Sequence, residues 1–226
     1  MLAVVIPALN ADQTLAATLK SLKPARASGF VCEAIVSDGG STDRTVAVAE
    51  AAGAKTISAA RGRGAQLAAG ADAASAEWRL FLHADTVLAD GWHTEAEGFC
   101  ADPANRRRAA VFRFALADDA PAARRLEKIV AWRTRALGLP YGDQGLLISR
   151  EFYRALGGYR ILPLMEDVDL VRRVGRRRLH MFDSPAITSA ERYLGVGYVP
   201  RSARNLMCLL LYFLHVPPRL IARLYG

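Results

Sequence analysis

The stretch that decides the fold is WRLFLHADT, residues 78–86. It begins as an apolar run of strand length and ends abruptly in His83 and Asp85. An apolar run bounded in this way is typical of a buried strand in a parallel sheet. Ligands bind at the carboxyl ends of such strands, so Asp85 stands where a metal or a phosphate would bind. The stretch therefore predicts an α/β fold with a ligand site at the end of this strand.

Short apolar runs alternate with alanine-rich amphipathic segments through the first half of the chain. This alternation predicts βαβ units and a parallel sheet. We expect strands over residues 2–8, 33–37, 55–58 and 78–83, and helices over residues 12–22, 43–52 and 64–75. Asp12 and Asp43 are expected in the first turns of two of these helices, where a carboxylate satisfies free backbone N–H groups.

The second half of the chain is less regular after residue 105. We expect strands over residues 109–116 and 179–182, helices over 122–137 and 166–174, and a glycine-broken segment over 140–149 that leads into a helix from Arg150. The chain has 226 residues, of which 52% are hydrophobic, and no linker or repeat divides it. These features favour one domain over residues 1–201, followed by a tail over residues 202–226.

The tail differs in composition from the rest of the chain. Residues 206–214 are all apolar, and Arg219 and Arg223 follow at a helical spacing. Nine apolar residues are too few to cross a bilayer, which takes about 20 as a helix. Two interpretations stay open: a helix that lies on a membrane surface with its arginines at the headgroups, and a helix that packs on the core or forms a homodimer.

Charge and cysteine usage limit the classes of partner. The net charge of +8 would attract nucleic acid, anionic lipid or phosphorylated small molecules. No zinc-finger, homeodomain or RNP-type signature is present, so we expect no nucleic-acid partner. The three cysteines are far apart and form no CxxC motif, which argues against disulfides and structural zinc and favours the cytoplasm. The opening residues MLAVVIPALN lack a basic leader and are predicted to form the first strand.

Residues suited to binding a nucleotide follow each of the first three predicted strands. Pro7 lacks a ladder N–H, which leaves the end of the first strand open to a ligand. Asp38 can accept hydrogen bonds from a base or ribose, and Gly39 permits close approach of the backbone. Arg61 and Arg63 follow the third strand and open a helix, where they can face a phosphate. A solvated turn explains the two arginines equally well.

Two further groups of residues suggest chemistry. Asp85 is suited to bind Mg²⁺ or Mn²⁺ together with diphosphate oxygens. His83 points to the same side if the strand stays extended, although a buried histidine is more often a core residue. Glu166, Asp167 and Asp169 gather at the start of a predicted helix. Helix capping accounts for one or two of these acids, and another is available as a general base toward a hydroxyl.

Taken in order, VVIPALN, VSDGGSTDRT, RGRGAQ, FLHADT, YGDQGLLISREFYRALGGY and LMEDVDLVRRV resemble the family 2 glycosyltransferases of GT-A fold. The resemblance extends over residues 2–195. Within the family, the chain is most similar to small, stand-alone bacterial members that carry HAD in place of DxD. It implies an α/β, Rossmann-like GT-A fold: a mixed, mainly parallel sheet flanked by helices, with a C-terminal helical extension. It also implies a half that binds the nucleotide sugar (1–105) and an acceptor half (106–201).

The resemblance implies roles for particular residues. Asp85 matches the metal-binding acid of the DxD motif. Asp167 matches the general base, with Glu166 beside it in the catalytic motif. Asp143 and Gln144 match a loop near the sugar and acceptor. The positions that match donor-binding residues are Pro7, Ala8, Asn10, Asp38, Gly39, Arg61, Arg63, Gln66, His83 and Ala84.

The activity implied is metal-dependent, inverting transfer of a sugar from a nucleoside-diphosphate sugar, of UDP type, to an acceptor hydroxyl. A lipid-linked acceptor and a peripheral location on the inner face of the plasma membrane would suit the basic charge and the apolar tail. His83 departs from the family pattern because it replaces the first acid of DxD. Two alternatives stay open: a sugar nucleotidyltransferase, which would need a glycine-rich loop that residues 8–12 lack, and a non-catalytic nucleotide-binding module.

Overall fold

The structure, a computed structural model, describes residues 1–225. Its strands are β1 (Leu2–Ala8), β2 (Val31–Asp38), β3 (Lys55–Ser58), β4 (Trp78–Phe81), β5 (Thr86–Leu88), β6 (Ala109–Leu116), β7 (Leu146–Ser149) and β8 (Leu179–Thr188). They form one eight-stranded sheet in the order β3-β2-β1-β4-β7-β6-β8-β5. The first four strands in this order are parallel, and β7 runs antiparallel to both of its neighbours.

Helices cover both faces of the sheet. They are α1 (Leu15–Ser21), α2 (Lys23–Ala27), α3 (Thr45–Ala51), α4 (Arg63–Ala73), α5 (Trp92–Ala101), α6 (Pro121–Leu137), α7 (Arg150–Ala155), α8 (Glu166–Val174), α9 (Glu191–Val196), α10 (Tyr198–Phe213) and α11 (Pro218–Tyr225). Successive residues of β1 enter different cores, with Leu2 and Val4 in one and Ala3 and Val5 in the other. This alternation places a core on each side of the sheet, which confirms the α/β prediction.

The strand and helix predictions are correct at most positions. The strand over residues 2–8 and the helix over 166–174 have the predicted bounds. Other elements were not predicted: β5, α5, the strand β7 within the segment predicted only as glycine-broken, and the continuation of β8 beyond residue 182. The helix predicted to begin at Asp12 begins at Leu15, and the Asp12 N–H donates to the Asp43 carboxylate (3.1 Å) in the segment before it. Asp43 also accepts from the Thr45 N–H, just before α3.

The order of strands decides where a ligand can bind. β4 is parallel to β1, and Phe81 at its carboxyl end pairs with Leu146 at the start of antiparallel β7. The segment after β4 and the segment before β7 therefore lie at the same edge of the sheet. Thr86 pairs with Thr188, so the end of β8 reaches this edge as well. Three separate parts of the chain meet there.

The division predicted between residues 201 and 202 falls inside a helix. α10 begins at Tyr198, after Gly197, and runs through this boundary to Phe213. Its inner side, with Cys208 and Leu209, packs with α11 against buried side chains beside α8. No helix within residues 1–225 is long and apolar enough to span a membrane. The tail is thus continuous with the domain and belongs in part to its core.

Two glycines in helices provide a matched test of the packing. A Cβ on Gly70 in α4 would lie 2.3 Å from Cγ1 of the buried Val5, whereas a Cβ on Gly98 in α5 would meet open space. We expect Gly70→Ala to lower the free energy of unfolding by about 1–3 kcal/mol through overpacking. Gly98→Ala is expected to raise it by up to about 1 kcal/mol, through helix propensity alone. Urea unfolding of both variants checks this, and equal effects would contradict the close contact of α4 with β1.

Candidate active site

A cavity of about 110 Å³ opens at the sheet edge where β4, β7 and β8 meet. The chain supplies its walls from the segment after β4, the loop before β7, the start of α8, the end of β8 and the three C-terminal helices. Its polar and charged lining includes Arg63, His83, Asp85, Asp143, Asp167, Arg192 and Arg201. Residues that are far apart in sequence therefore face one space.

The HAD segment forms a turn that presents two side chains to this cavity. β4 ends at Phe81, so the turn and not an extended strand gives His83 and Asp85 their common direction. The Thr18 hydroxyl donates to the Ala84 carbonyl (3.0 Å), and the Ser189 N–H donates to the Asp85 carbonyl (3.2 Å). The backbone of the turn is thus held by α1 on one side and by the end of β8 on the other.

His83 is an uncharged imidazole in this site at neutral pH. Burial, together with the positive charges of Arg63 and Arg192, holds its pKa well below the usual value. A Cβ on Gly142 would lie 2.6 Å from the His83 Nε2, so the loop before β7 can approach this closely only with glycine there. A neutral imidazole is the form of histidine that binds metals.

Asp167 enters the cavity from the first turn of α8. The preceding Met165 has a left-handed backbone (φ 67°), which is uncommon for a residue other than glycine and directs the chain into the helix. Asp167 Oδ2 accepts from the Gly142 N–H (2.7 Å), and Oδ1 accepts from the Val168 N–H (2.7 Å). Its carboxylate is therefore fixed in orientation while it lines the cavity.

Glu166 is oriented differently from its neighbour. It is 2% exposed, it is absent from the cavity lining, and it lies 3.4 Å from the Arg63 guanidinium. Burial and the nearby Asp167 raise its pKa to about 7, against the opposing effect of Arg63. For Arg63 itself, burial lowers the pKa, but the two carboxylates outweigh this and raise it. Glu166 thus holds Arg63 at the cavity wall, and its predicted catalytic role stays a prediction.

Asp143 brings a further carboxyl group to the cavity. Its Oδ1 atom is buried without a hydrogen-bond partner in the described part of the chain. Burial raises its pKa to about 6, and repulsion from Asp167 and Asp85 adds to this against the attraction of Arg133. Crowded carboxylates of this kind favour a bound cation. Within residues 1–225, no three His, Cys, Asp or Glu side chains form a complete metal site, so such a cation would also need oxygen atoms from a ligand.

Comparisons with known proteins agree with this architecture. Residues 3–104 match the model of a family described as Glycosyl transferase family 2. This match lies in the first half of the chain. A segment of 55 residues, 24% of this chain, is 49% identical to glucosyl-3-phosphoglycerate synthase of Mycolicibacterium smegmatis and spans 18% of that relative.

Solved structures show the fold over a larger part of this chain. Glucosyl-3-phosphoglycerate synthase of Mycobacterium tuberculosis, in complex with Mn²⁺ and UDP-glucose, is 22% identical, with a TM-score of 0.64 over 96% of this chain and 80% of that one. TarS of S. aureus, in complex with UDP-GlcNAc, is 15% identical, with a TM-score of 0.66 over 83% of this chain and 58% of that one. These matches confirm the predicted GT-A fold.

Gln66 and Gln144, both predicted to lie near the ligands, are buried and hydrogen-bonded inside the protein. The Gln66 amide donates to the carbonyls of Ala8 (2.6 Å) and Ser37 (3.0 Å), which ties together the ends of β1 and β2. Gln144 is fully buried, accepts from the Thr134 hydroxyl (3.0 Å) and donates to a carbonyl of β6. Their polar groups are thus satisfied inside the protein, and neither side chain lines the cavity. Their predicted places near the donor and the acceptor stay predictions.

The other predicted donor residues form a separate group at the ends of β1 and β2. β1 pairs with β4 only through Val5, so Pro7 lies beyond that pairing. Asp38 is directed inward: its carboxylate accepts from the Gly40 N–H and from both the N–H and the hydroxyl of Ser41. Ala8, Asn10 and Gly39 belong to this group and lie outside the cavity lining. The exposed Arg61, which follows β3, and Ala84, in the turn after β4, also lie outside it. Only Arg63, His83 and Asp85 of the predicted donor and metal residues line the cavity with Asp143 and Asp167.

The C-terminal helices contribute to the site, which the sequence did not predict. Arg192 and Tyr193 of α9, Arg201 of α10 and Tyr225 of α11 all line the cavity. Arg201 and Asn205 are one helical turn apart, a spacing that places both on one side of α10. A pair of polar residues on the side of a helix that also carries buried apolar residues was the signal available in the sequence.

Because Asp143 lies among other carboxylates, we expect its neutralisation to raise the free energy of unfolding. A carboxyl whose pKa is raised from 3.8 to about 6 binds its proton more tightly in the folded state. The folded state therefore loses stability as the pH rises from about 4 to about 6. We expect metal-free Asp143→Asn to be about 1–3 kcal/mol more stable than the wild type at pH 7.5. Near pH 4 the free energies of unfolding of the two proteins should converge.

Urea unfolding in the presence of EDTA at both pH values measures this difference. Asp90→Asn, on an exposed position outside the cavity, is the matched control and should leave stability unchanged at both. An Asp143→Asn variant that is equally stable or less stable at pH 7.5 would contradict the repulsion among the three cavity carboxylates.

Proposed function

We propose that this family 2 domain transfers a sugar from a nucleoside-diphosphate sugar, of UDP type, to an acceptor hydroxyl with inversion of the anomeric carbon. The observation that carries the proposal is that His83, Asp85 and Asp167 face one cavity at the carboxyl end of β4. The solved relatives were captured with UDP-glucose and Mn²⁺ or with UDP-GlcNAc, which supports a donor of this class.

Asp167 is the proposed general base. Two backbone N–H groups, of Gly142 and Val168, fix its carboxylate in the cavity. In this position it can take the proton from an acceptor hydroxyl as that oxygen attacks the anomeric carbon. Glu166 is turned toward Arg63, so it is unavailable as a second nucleophile. Among the carboxylates that line the cavity, Asp167 is the one held by two backbone N–H groups, which favours one direct displacement and therefore inversion.

A divalent cation fits the acidic wall of the cavity. Asp85 would hold Mn²⁺ or Mg²⁺, and the neutral imidazole of His83 is placed to assist it. When bound, such a cation neutralises charge on the departing nucleoside diphosphate. Arg63, fixed by its ion pair with Glu166, presents a second positive charge to the same leaving group. The unpartnered Oδ1 of Asp143 supports this assignment, because a buried carboxylate needs a positive neighbour.

Thermal-shift measurements with nucleotide sugars test the proposal. A ligand that binds the native state raises the melting temperature. We expect UDP-sugars to do so with Mn²⁺ and to lose most of the effect with EDTA. Release of UDP on addition of an acceptor distinguishes an enzyme from a non-catalytic binding module, which would bind without turnover. Release of pyrophosphate from UTP and a sugar phosphate would instead indicate a nucleotidyltransferase.

We also propose that the C-terminal helices contact an anionic membrane surface, where a lipid-linked acceptor would be accessible. The outer side of α10 exposes Val199, Leu206 and Leu210, which are 79%, 56% and 55% exposed. α11 exposes Leu220 and Leu224 beside the exposed Arg219 and Arg223. Apolar side chains flanked by arginines, on a protein of net charge +8, suit a bilayer rich in anionic lipid.

Paired substitutions on α10 test this contact without removing residues of the cavity. We expect Leu206→Gln with Leu210→Gln to weaken binding to phosphatidylglycerol vesicles at least about tenfold, because two apolar side chains no longer enter the bilayer. Ile161→Gln, which changes a residue 78% exposed in a loop, is the control and should bind normally. A double variant that keeps its vesicle binding, or that changes only the sedimentation of a homodimer, would contradict the proposal.

A further inference from the structure

The cavity is divided electrostatically into two walls. The acids Asp85, Asp143 and Asp167 come from the sheet edge and α8, whereas Arg192 and Arg201 come from the C-terminal helices α9 and α10. Within residues 1–225, neither of these two arginines has a carboxylate within 4.0 Å. The basic wall therefore has no internal counter-charge in the described chain.

Arg201 is held firmly although it lacks an acidic partner. It is only 7% exposed, and its guanidinium donates to the Tyr225 hydroxyl and lies 4.6 Å from the centre of that ring. These contacts orient the group without neutralising it. A buried guanidinium without a counter-ion is costly, and an anion bound in the cavity would offset this cost.

A second polar atom on the same wall lacks a partner. Asn205 lies one turn after Arg201 on α10 and lines the cavity. Its Oδ1 is buried without a hydrogen-bond partner in the described part of the chain. An amide oxygen can accept from a hydroxyl group, and the two guanidinium groups can donate to phosphate oxygens. The wall thus offers both kinds of contact that a hydroxylated phosphate ester requires.

We propose that Arg192, Arg201 and Asn205 form the acceptor subsite, and that the acceptor is a hydroxyl compound that carries a phosphate group. This inference rests on the proposed function. In the proposed function the donor diphosphate would be matched by Arg63 of α4 and by a cation that Asp85 would hold in the turn after β4. The two arginines of the C-terminal helices are therefore in excess of the donor's need. The same wall makes the C-terminal helices part of the substrate site.

Binding of a phosphate ester to the UDP-loaded protein tests the subsite. The full chain, saturated with UDP and Mn²⁺, is titrated calorimetrically with sn-glycerol 3-phosphate, and with glycerol as the uncharged counterpart. We expect only the phosphate ester to bind. Arg201→Gln and Arg192→Gln should each weaken this binding about tenfold, the factor expected from about 1.4 kcal/mol. Arg177→Gln, an exposed arginine outside the cavity, should leave it unchanged.

Two further measurements separate a binding role of Arg201 from a structural one, and a lipid headgroup from a free phosphate ester. Arg201→Lys should recover part of the binding lost in Arg201→Gln, whereas a purely structural role would give no such recovery. If Arg201→Gln does not fold, the exposed Arg192 carries the test. Phosphatidylglycerol vesicles that compete with the ester would identify a lipid headgroup as the source of phosphate, and absence of competition would identify a free phosphate ester.

Two results would overturn the assignment of Arg192, Arg201 and Asn205 to the acceptor subsite. One is equal binding of sn-glycerol 3-phosphate to the Arg192, Arg201 and Arg177 variants. The other is weaker binding of UDP and Mn²⁺, with binding of the ester unchanged, which would assign the arginines to the donor. Failure of the proposed function is distinguishable, because the wild type would then not bind UDP with Mn²⁺ at all.

Discussion

Asp167→Asn is expected to lower kcat for sugar transfer by about 10²–10⁴, the usual contribution of a general base. The amide keeps the size of the carboxylate, and its oxygen can still accept from the Gly142 N–H at 2.7 Å. It cannot, however, take a proton from the acceptor hydroxyl. We therefore expect UDP and Mn²⁺ to bind nearly as in the wild type while turnover is lost. Steady-state release of UDP and calorimetric titration of UDP measure the two effects separately.

Asp169 offers a matched control two residues later on the same helix. Its carboxylate is buried and bonded to Arg160 (3.1 Å) and Arg173 (2.5 Å), away from the cavity lining. Asp169→Asn removes the negative charge that pairs with these two guanidinium groups. We therefore expect a lower melting temperature with near-normal kcat per folded molecule. Retained turnover in Asp167→Asn, or equal loss of turnover in both variants, would contradict the assignment of Asp167 as base.

Local patterns in the sequence predicted the elements whose composition alone decides them. The alternation of apolar and amphipathic segments predicted the parallel half of the sheet, and the acidic start of α8 predicted that helix at Glu166–Val174. β5 was missed because Thr86–Leu88 is short and is defined by its pairing with residues 186–188 of β8 far along the chain, a contact that no local pattern encodes. β7 was missed for another reason: its glycine-rich surroundings conceal a fully buried strand.

The site residues, too, divide into those that a local sequence pattern indicates and those whose place depends on contacts between distant parts of the chain. The sequence singled out Asp85 because it ends a buried apolar strand, and Asp167 because more acids gather at the start of α8 than capping requires. The structure places both in the cavity lining, and their roles stay predictions. Gln66 and Gln144 were assigned to the site through the resemblance, and the sequence alone does not show that their amide groups donate to backbone carbonyls inside the protein. Arg201 was missed because its place in the cavity depends on how α10 packs against the domain. Three-dimensional packing, and not residue type, decides these cases.

Asp85→Asn is expected to abolish the dependence of UDP binding on Mn²⁺. The carboxylate is the one acid in the turn after β4, and the adjoining backbone is held by Thr18 and Ser189, so the substitution changes the charge without releasing the turn. An amide oxygen is a much weaker ligand than a carboxylate for a hard cation. We expect the Kd of UDP in the presence of Mn²⁺ to rise at least about 100-fold, beyond the range seen when a group that only supports a metal ligand is lost.

A comparison of four conditions separates an effect of Asp85 on the cation from an effect on the shape of the site. UDP binding is measured for the wild type and for Asp85→Asn, each with Mn²⁺ and with EDTA. If Asp85 acts through the cation, the wild type with EDTA should match the variant under both conditions. Asp90→Asn, an exposed change five residues later, should behave as the wild type throughout. A variant that binds UDP more weakly than the wild type even in EDTA would mean that Asp85 contacts the nucleotide directly, and the cation would then have to be assigned to Asp143 and Asp167 instead.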